Sequence, residues 1–312
     1  MGRLVNGKWE IASVATSDKE GAYDRPPRSF RSTIHQDDPR FQPEKDRYHL
    51  YVSYACPWAT RTLIYRELKD LQPLISVSVV HPHMLDYGWH FDNSFPHATV
   101  DHLYHFQYLH QLYLKADPKI TTTVTVPVLW DMKEQTIVNN ESSEIIQIFN
   151  SSFNQLTGNQ KNYHPASLST QIQEINSMIY HNINNGVYRA GFAKSQKAYD
   201  QAVENLFLSL DAIEKRLQEQ KSSYLLGEEI CESDLFLIPT LLRFDCVYHT
   251  HFKCNIKRIK DYPFLSAYLK RCSQIPAIQK TTFLDHIRHH YYYSHNDLNP
   301  YRIIAKGPQD VF

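Results

Sequence analysis

The first half of the chain places short apolar runs between polar turns, a pattern typical of strands. A helix is predicted after the first run, where Ile64, Leu68 and Leu71 recur at helical spacing. A second helix is predicted from the capping sequence at residues 139–144, ahead of Ile145. The predicted strands cover residues 49–52, 75–80, 125–130 and 136–138. Residues 81–122 interrupt this α/β order as an insertion.

Beyond about residue 165 the apolar positions follow helical spacing. Two helical faces are Ile172, Ile175, Ile179 and Ile183, and Val203, Leu206, Leu210, Ile213 and Leu217. The pattern therefore predicts two domains of different class, an α/β domain and an all-α domain. The predicted boundaries are an irregular, extended N-terminal arm over the surface at 1–47, an α/β domain at 48–160 with the insertion at about 81–122, a helical domain at 161–290 and an extension at 291–312.

Composition and charge argue against several classes of protein. The 312 residues are enough for about two domains. Lys plus Arg and Asp plus Glu are both 33, which argues against a nucleic-acid partner. No stretch reaches the roughly 20 apolar residues of a membrane span, and no targeting signal is evident, so we expect a cytoplasmic protein. With nine glycines and no G-x-G-x-x-G, a nucleotide-binding fold is not indicated.

Five cysteines, an odd number without Cys-x-x-Cys spacing, argue against a disulfide framework. Histidines 286, 289, 290 and 295 lack the spacing of a zinc site, and packing or solvated histidines are commoner. We therefore expect no metal.

Cys56 is the candidate nucleophile because it lies between a predicted strand and a predicted helix. Pro57 suits the first helical position, where its missing N–H costs nothing. The N–H groups and dipole of a helix N-terminus favour a thiolate, although an inert buried cysteine is the alternative. Ala59 stands where a dithiol enzyme would carry its second cysteine. An external thiol, with glutathione as the obvious candidate, would therefore resolve a disulfide formed at Cys56.

The motifs Cys56-Pro57-Trp58-Ala59, Val126-Pro127 and Glu141-Ser142 resemble the thioredoxin-fold half of a glutathione transferase. A narrower resemblance, to the glutathionyl-hydroquinone reductases (the xi class, with the yeast omega-like transferases), rests on segments 54–59, 86–91, 140–146, 186–193 and 289–295. It implies an α/β thioredoxin-like N-terminal domain plus an all-α C-terminal glutathione-transferase domain, and a homodimer formed through the helical domains.

The resemblance also implies where glutathione binds. Val126 would pair its backbone with the cysteinyl part of glutathione beside a cis Pro127, whereas a trans edge-strand proline is the alternative. Glu141 and Ser142 would hold the γ-glutamyl group, and a simple capping box is the alternative. Trp89 would pack on glutathione, or would anchor the insertion.

Tyr188 and one tyrosine of 291–293, preferentially Tyr292, resemble the tyrosines on the hydroquinone side of the site. A phenol can donate to a quinol oxygen, and its ring can stack on an aromatic substrate. Packing or interface burial is the alternative. At residues 226–234 a capping segment of the transferases is matched, except that Cys231 replaces their Thr or Ser.

The predicted reaction is glutathione-dependent reduction of S-glutathionyl-hydroquinones through a Cys56–glutathione mixed disulfide. Glutathione is then the co-substrate, and aromatic glutathionyl conjugates are the ligands. Two alternatives stay open. One is a broader omega-like thioltransferase or dehydroascorbate reductase that uses the same cysteine. The other is a non-catalytic binding protein with the transferase fold.

Overall fold

The computed structural model describes residues 2–11, 16–24 and 27–309. Residues 1, 12–15 and 25–26 of the predicted arm, and 310–312 of the predicted extension, lie outside the described residues. The described residues form two compact units. The first unit comprises 2–11, 27–161 and 281–294, and the second comprises 16–24, 162–280 and 295–309.

The chain forms eight strands and twelve α-helices among the described residues. The strands are β1 (Gly2–Val5), β2 (Lys8–Ile11), β3 (Thr16–Ser17), β4 (Tyr23–Asp24), β5 (Tyr48–Val52), β6 (Ile75–Val79), β7 (Val128–Asp131) and β8 (Thr136–Asn139). The helices are α1 (Pro57–Leu68), α2 (Leu109–Ala116), α3 (Ser142–Ser151), α4 (Asn154–Thr157), α5 (Ser169–Met178), α6 (Gly186–Gly191), α7 (Gln196–Gln220), α8 (Glu232–Arg243), α9 (His249–His251), α10 (Pro263–Ser273), α11 (Pro276–Gln279) and α12 (Leu284–Ser294).

The first unit is built on a four-stranded mixed sheet in the order β6-β5-β7-β8. β5 pairs with β6 in parallel and with β7 in antiparallel, and β7 pairs with β8 in antiparallel. All five residues of β5 are buried, as expected for a central strand. Helices α1 and α3 pack against each other. The four strands and both helices predicted here are confirmed.

The N-terminal segment is more regular than expected. Irregular structure is wrong for residues 2–11, because β1 and β2 form an antiparallel hairpin. Its turn is Asn6-Gly7, with φ of 47° and 75°, and Asn-Gly is a favoured pair for such two-residue turns. Leu4 is fully buried and exchanges backbone hydrogen bonds of 2.9 and 3.0 Å with Thr122. The hairpin is therefore attached to the insertion.

The insertion is held by a buried carboxylate as well as by the short helix α2. Asp101 accepts backbone N–H groups from Leu103, Tyr104 and Phe106 at 3.1 to 3.2 Å. It also accepts the Tyr51 hydroxyl of β5 at 2.8 Å. Backbone donors in an irregular segment need partners when they are buried, and Asp101 supplies them.

Apart from the paired two-residue strands β3 and β4, the second unit is helical, with the 25-residue α7 as its longest element. A π-helical segment, Ile179–Asn184, joins α5 to α6, and another, Phe244–Tyr248, joins α8 to α9. Every residue of α8 is buried, so this helix forms the centre of the unit. The all-α prediction for this part of the chain is confirmed.

The segment 281–294 returns to the first unit after the chain has completed most of the second. It contains α12, which carries Tyr291, Tyr292 and Tyr293. The predicted boundary between 290 and 291 therefore falls within one helix. The predicted boundary between 160 and 161 falls beside the last residue of the first unit before the chain enters the second.

Candidate active site

Cys56 occupies the N-cap of α1. Its backbone is extended, with φ −79° and ψ 120°, and Pro57 is the first helical residue. The Cys56 carbonyl accepts the Thr60 N–H at 2.9 Å and the Thr60 hydroxyl at 3.0 Å. The Cys56 N–H donates to the Ser53 carbonyl at 3.2 Å. These bonds fix the turn and leave the side chain partly exposed.

The thiol of Cys56 lies beside the residue that leads into β7. Its Sγ is 3.6 Å from the carbonyl oxygen of Val126. The Val126-Pro127 peptide bond is cis, as the resemblance implied. Just before it, Thr125 is tied to Tyr113, whose hydroxyl donates to the Thr125 carbonyl at 2.8 Å. Two of the predicted site residues, Cys56 and Val126, are thus in contact.

Glu141 and Ser142 begin α3, the helix that packs against α1. Glu141 is the N-cap, and its carboxylate accepts the backbone N–H and the hydroxyl of Ser143, both at 3.1 Å. The capping alternative is therefore present in the structure. Ser142 is only 2% exposed, and its Oγ has no hydrogen-bond partner among the described residues. A buried hydroxyl at a helix start that is left without a partner is suited to a ligand.

Trp89 is a buried side chain of the insertion. Its ring stacks on the imidazole of His290 from α12, with centroids 4.7 Å apart and an interplanar angle of 24°. Its carbonyl accepts the Leu109 N–H at 2.9 Å. Trp89 therefore joins the insertion to the helix that carries Tyr292.

The two predicted substrate tyrosines lie in different units. Tyr188 is a partly exposed residue of α6 in the second unit, with the Phe252 ring 5.5 Å away and the Tyr248 ring 6.0 Å away. Tyr292 is on α12 in the first unit and is 5% exposed. Its neighbour Tyr293 is partly exposed and stacks on His83 at 3.7 Å.

Residues that were not predicted as site residues contact the Cys56 turn. Tyr54, two positions before the cysteine, has its ring centroid 3.9 Å from that of Phe283. His286 of α12 meets the same tyrosine edge-on at 5.3 Å. Tyr54 stands in the quoted motif, but Phe283 is more than 200 positions away and no local pattern connects the two.

Four other cysteines and several histidines are packed in the interior. The other four cysteines are buried, and burial raises the pKa of Cys231 to about 12 and those of Cys254 and Cys272 further. Burial lowers the pKa of His81 to about 4 and also lowers that of His286. Within the described ranges, no group of three or more His, Cys, Asp or Glu side chains could hold a metal ion. Nor does any helix there have the length and apolarity needed to cross a membrane.

Comparison with protein families matches both units. The model of the glutathione S-transferase N-terminal domain matches residues 55–152, and that of the C-terminal domain matches residues 196–271. These matches confirm the predicted fold class, a thioredoxin-like domain followed by a helical transferase domain.

Similar proteins cover almost the whole chain. Glutathionyl-hydroquinone reductase YqjG of Escherichia coli is 50% identical, over 100% of this chain and 97% of its own. Glutathione S-transferase omega-like 2 of Schizosaccharomyces pombe is 48% identical, over 94% of this chain and 95% of its own.

Two solved structures agree closely with the fold. Glutathione-bound YqjG gives a TM-score of 0.90 at 49% identity, covering 99% of this chain and 97% of its own. The xi transferase of Phanerochaete chrysosporium gives 0.92 at 47% identity, covering 95% and 96%. The fold and the two family matches define a glutathione transferase. Within that superfamily the chain belongs to the glutathionyl-hydroquinone reductases of the xi class.

Proposed function

We propose that this protein is a glutathione-dependent reductase that removes glutathione from S-glutathionyl-hydroquinones through a Cys56–glutathione mixed disulfide. The observation that carries the proposal is the placement of Cys56. It is a partly exposed thiol at a helix N-cap, 3.6 Å from the Val126 carbonyl, with Ala59 where a resolving cysteine would stand. The relative YqjG, which bears the name of this activity, supports the substrate class.

The reaction proceeds in two displacements. The Cys56 thiolate attacks the glutathionyl sulfur, so that an S–S bond forms and the bond from sulfur to the ring carbon breaks. The electron pair of that bond stays on the ring carbon, which takes a proton, and hydroquinone leaves. A second glutathione thiolate then attacks the mixed disulfide, which releases oxidised glutathione and restores Cys56. The aromatic ring gains the two electrons that the two glutathione sulfurs lose.

The start of α3 is the proposed site for the γ-glutamyl group of glutathione. The buried Ser142 hydroxyl and the N–H groups of the first turn would bind its carboxylate, since helix N-termini attract anions. Glu141 would bind its ammonium group while still capping the helix. Val126 would pair its backbone with the cysteinyl residue beside Pro127. Trp89 would pack against the bound peptide.

The hydroquinone side of the site is assigned to Tyr188 and Tyr292. A phenol from either could donate a hydrogen bond to a quinol oxygen or deliver the proton to the ring. Support for Tyr292 comes from its helix, because His290 of α12 stacks on the glutathione-side Trp89. Support for Tyr188 is its partly exposed ring in an aromatic cluster with Tyr248 and Phe252.

The test is turnover of a purified S-glutathionyl-hydroquinone with glutathione. We expect one hydroquinone and one oxidised glutathione per conjugate, with ping-pong kinetics. Cys56→Ser should lose at least about 1,000-fold in kcat, as expected for removal of a covalent nucleophile. In the wild-type protein given the conjugate without added glutathione, only the first displacement takes place, and intact mass should show one glutathione on Cys56. Full activity of Cys56→Ser would disprove the mechanism.

A broader thioltransferase is the second candidate, favoured by the omega-like name of the S. pombe relative. It would use the same cysteine, so Cys56→Ser cannot separate the two. The ratio of kcat/KM on the glutathionyl-hydroquinone to kcat/KM on a small glutathione mixed disulfide or dehydroascorbate separates them. A ratio well above one supports the first function. Calorimetry that detects no glutathione binding would support a non-catalytic role.

We further propose a homodimer in the cytoplasm. Leu208 and Ile256 of the second unit are exposed apolar side chains that a partner subunit could cover. All five cysteines are free thiols, as is usual in a reducing compartment. Light scattering on the purified protein, with Leu208→Glu as the interface variant, tests the dimer.

A further inference from the structure

Tyr54 and Phe283 join two parts of the first unit that are remote in sequence. Tyr54 belongs to the turn between β5 and α1, two residues before Cys56. Phe283 immediately precedes α12, and its carbonyl accepts the Ile287 N–H at 3.1 Å. The two ring centroids are 3.9 Å apart with 30° between the planes, so the two rings pack closely against each other. The turn of the nucleophile and the start of α12 are thus in direct contact.

The Phe283 end of this contact is fixed by the insertion. The imidazole of His97 packs against Phe283 at 4.7 Å. One turn along α12, the Nε2 atom of His286 is 2.6 Å from the Pro96 carbonyl, and its ring lies 4.9 Å from Phe95. Residues 95–97 therefore hold both Phe283 and His286, so that α12 begins at a defined place relative to Tyr54.

Further along α12, two more side chains contact the insertion. His290 stacks on Trp89, and Tyr293 stacks on His83. One helix therefore contacts the Cys56 turn at its first end and the glutathione-side tryptophan further along. Because α12 is a single helix, the place at which it starts sets where Tyr292 lies relative to Cys56.

We propose that Phe283 is a positioning residue that acts through Tyr54 to hold α12 in register with the Cys56 turn. The inference rests on the proposed function, since it concerns the delivery of an aromatic conjugate to Cys56. It assigns no chemistry to Phe283. The reactivity of the Cys56 thiol itself stays unchanged when Phe283 is altered, because the hydrogen bonds of the turn come from Ser53 and Thr60.

Four variants test the proposal, namely Phe283→Leu, Phe283→Tyr, Tyr54→Leu and the double variant with leucine at both positions. Phe264→Leu is the control, since Phe264 is an exposed phenylalanine in the first turn of α10 in the second unit. Each is assayed on a glutathionyl-hydroquinone and on a small glutathione mixed disulfide. The rate of Cys56 alkylation by iodoacetamide is measured in parallel.

Phe283→Leu should lower kcat on the aromatic conjugate by about tenfold, because misplacement by about 1 Å carries penalties of this size or larger. In Phe283→Leu, the rate on the small disulfide and the alkylation rate should stay within about twofold of wild type. Phe283→Tyr, which keeps an aromatic ring, should retain the wild-type kcat on the aromatic conjugate. The double variant should be no slower than the slower single variant, since the two residues act as one contact.

Two results would overturn the proposal. One is unchanged kcat on the aromatic conjugate in Phe283→Leu. The other is an equal loss on both substrates together with slower alkylation, which would mean a general structural role. Failure of the proposed function has a different signature, namely full activity of Cys56→Ser, so the two failures are distinguishable.

Discussion

Cys56 and Cys231 occupy the same position in two different helices. Each is the N-cap of a 12-residue helix, α1 in the first unit and α8 in the second, and each has an extended backbone. The field of a helix N-terminus is therefore available to both thiols. If that field alone produced a reactive cysteine, both would be nucleophiles.

Their surroundings differ in access and in charge. Cys56 is partly exposed, and the first turn of α1 has no acidic residue. Cys231 is 3% exposed, and Asp234 accepts its backbone N–H at 2.8 Å. Burial and the Asp234 carboxylate raise the pKa of the Cys231 thiol to about 12. Burial and a neighbouring carboxylate thus act against the helix-start field at Cys231, whereas Cys56 is partly exposed and has no acidic residue in its first turn.

The largest expected difference is in alkylation. In the native protein, iodoacetamide should modify Cys56 at least about 1,000-fold faster than Cys231, because a pKa of about 12 leaves almost no thiolate near neutral pH. Peptide mass spectrometry of timed samples measures both rates in one experiment. Labelling in urea, where all five cysteines should react, is the control. Comparable native rates would show that the helix start outweighs burial.

Removing the Asp234 carboxylate tests the part of the comparison that concerns the start of α8. Asp234 also accepts the Leu225 N–H at 3.0 Å and the Tyr268 hydroxyl at 2.9 Å. Asp234→Asn keeps one acceptor oxygen and replaces the other by an NH2 group, so at least one of the N–H and O–H donors around Asp234 loses its acceptor. The substitution should lower the free energy of unfolding of the second unit by about 2–4 kcal/mol. Urea unfolding measures the loss. Glu204→Gln, at an exposed position of α7, should change it by less than about 0.5 kcal/mol. Similar effects of both substitutions would refute this role of Asp234.

Low pH should lower the stability of the first unit, which contains Cys56, because two of its histidines are buried. Burial lowers the pKa of His49 to about 3 and that of His81 to about 4. Below about pH 6.5 these histidines bind protons in the unfolded chain but not in the folded unit. The free energy of unfolding is therefore highest above that pH and falls as the pH drops towards 4.

At about pH 5 the loss should be about 2 kcal/mol for His49 and less for His81, whose partial solvation weakens the effect. Urea unfolding followed at pH 8, 6.5 and 5 measures it. His49→Gln should flatten the profile between these pH values. A profile that is already flat in the wild-type protein would contradict the assignment.

The smallest effect is expected from changing the sulfur of Cys231 itself. A serine hydroxyl is a better N-cap than a thiol, so Cys231→Ser should change stability by about 1 kcal/mol or less and leave kcat unaltered. Thermal unfolding and the reductase assay measure the two quantities. A loss of activity comparable with that of Cys56→Ser would mean that the two cysteines are not functionally distinct.

Local signals explain which parts of the molecule were predictable. Cys56-Pro57 between an apolar run and a helical repeat specifies a helix start, and the structure has it there. Asn6-Gly7 is an equally local hairpin signal, but it was missed because each flanking strand is only four residues long. Leu4 pairs its backbone with Thr122, a partner that no neighbouring residue reveals.

The residues of the candidate site also differ in how far the local sequence predicts their placement. The start of α3 at Glu141 and Ser142 follows from capping residues ahead of an isoleucine-rich run, whereas the unpartnered state of the Ser142 hydroxyl depends on tertiary packing. The stacking of Trp89 on His290 and of Tyr54 on Phe283 joins segments about 200 residues apart. Periodicity within one element carries no information about such pairs.

The return of residues 281–294 to the first unit sets a constraint on synthesis. The sheet and α1 to α3 leave the ribosome well before the helix that completes their unit. Roughly 120 residues separate 161 from 281, which takes on the order of 10 s at translation rates of about 5–20 residues per second. During that interval the nascent sheet presents the surface around Tyr54 and Trp89 without its covering helix. Cys56 is therefore synthesised early, and its surroundings are completed only when α12 emerges.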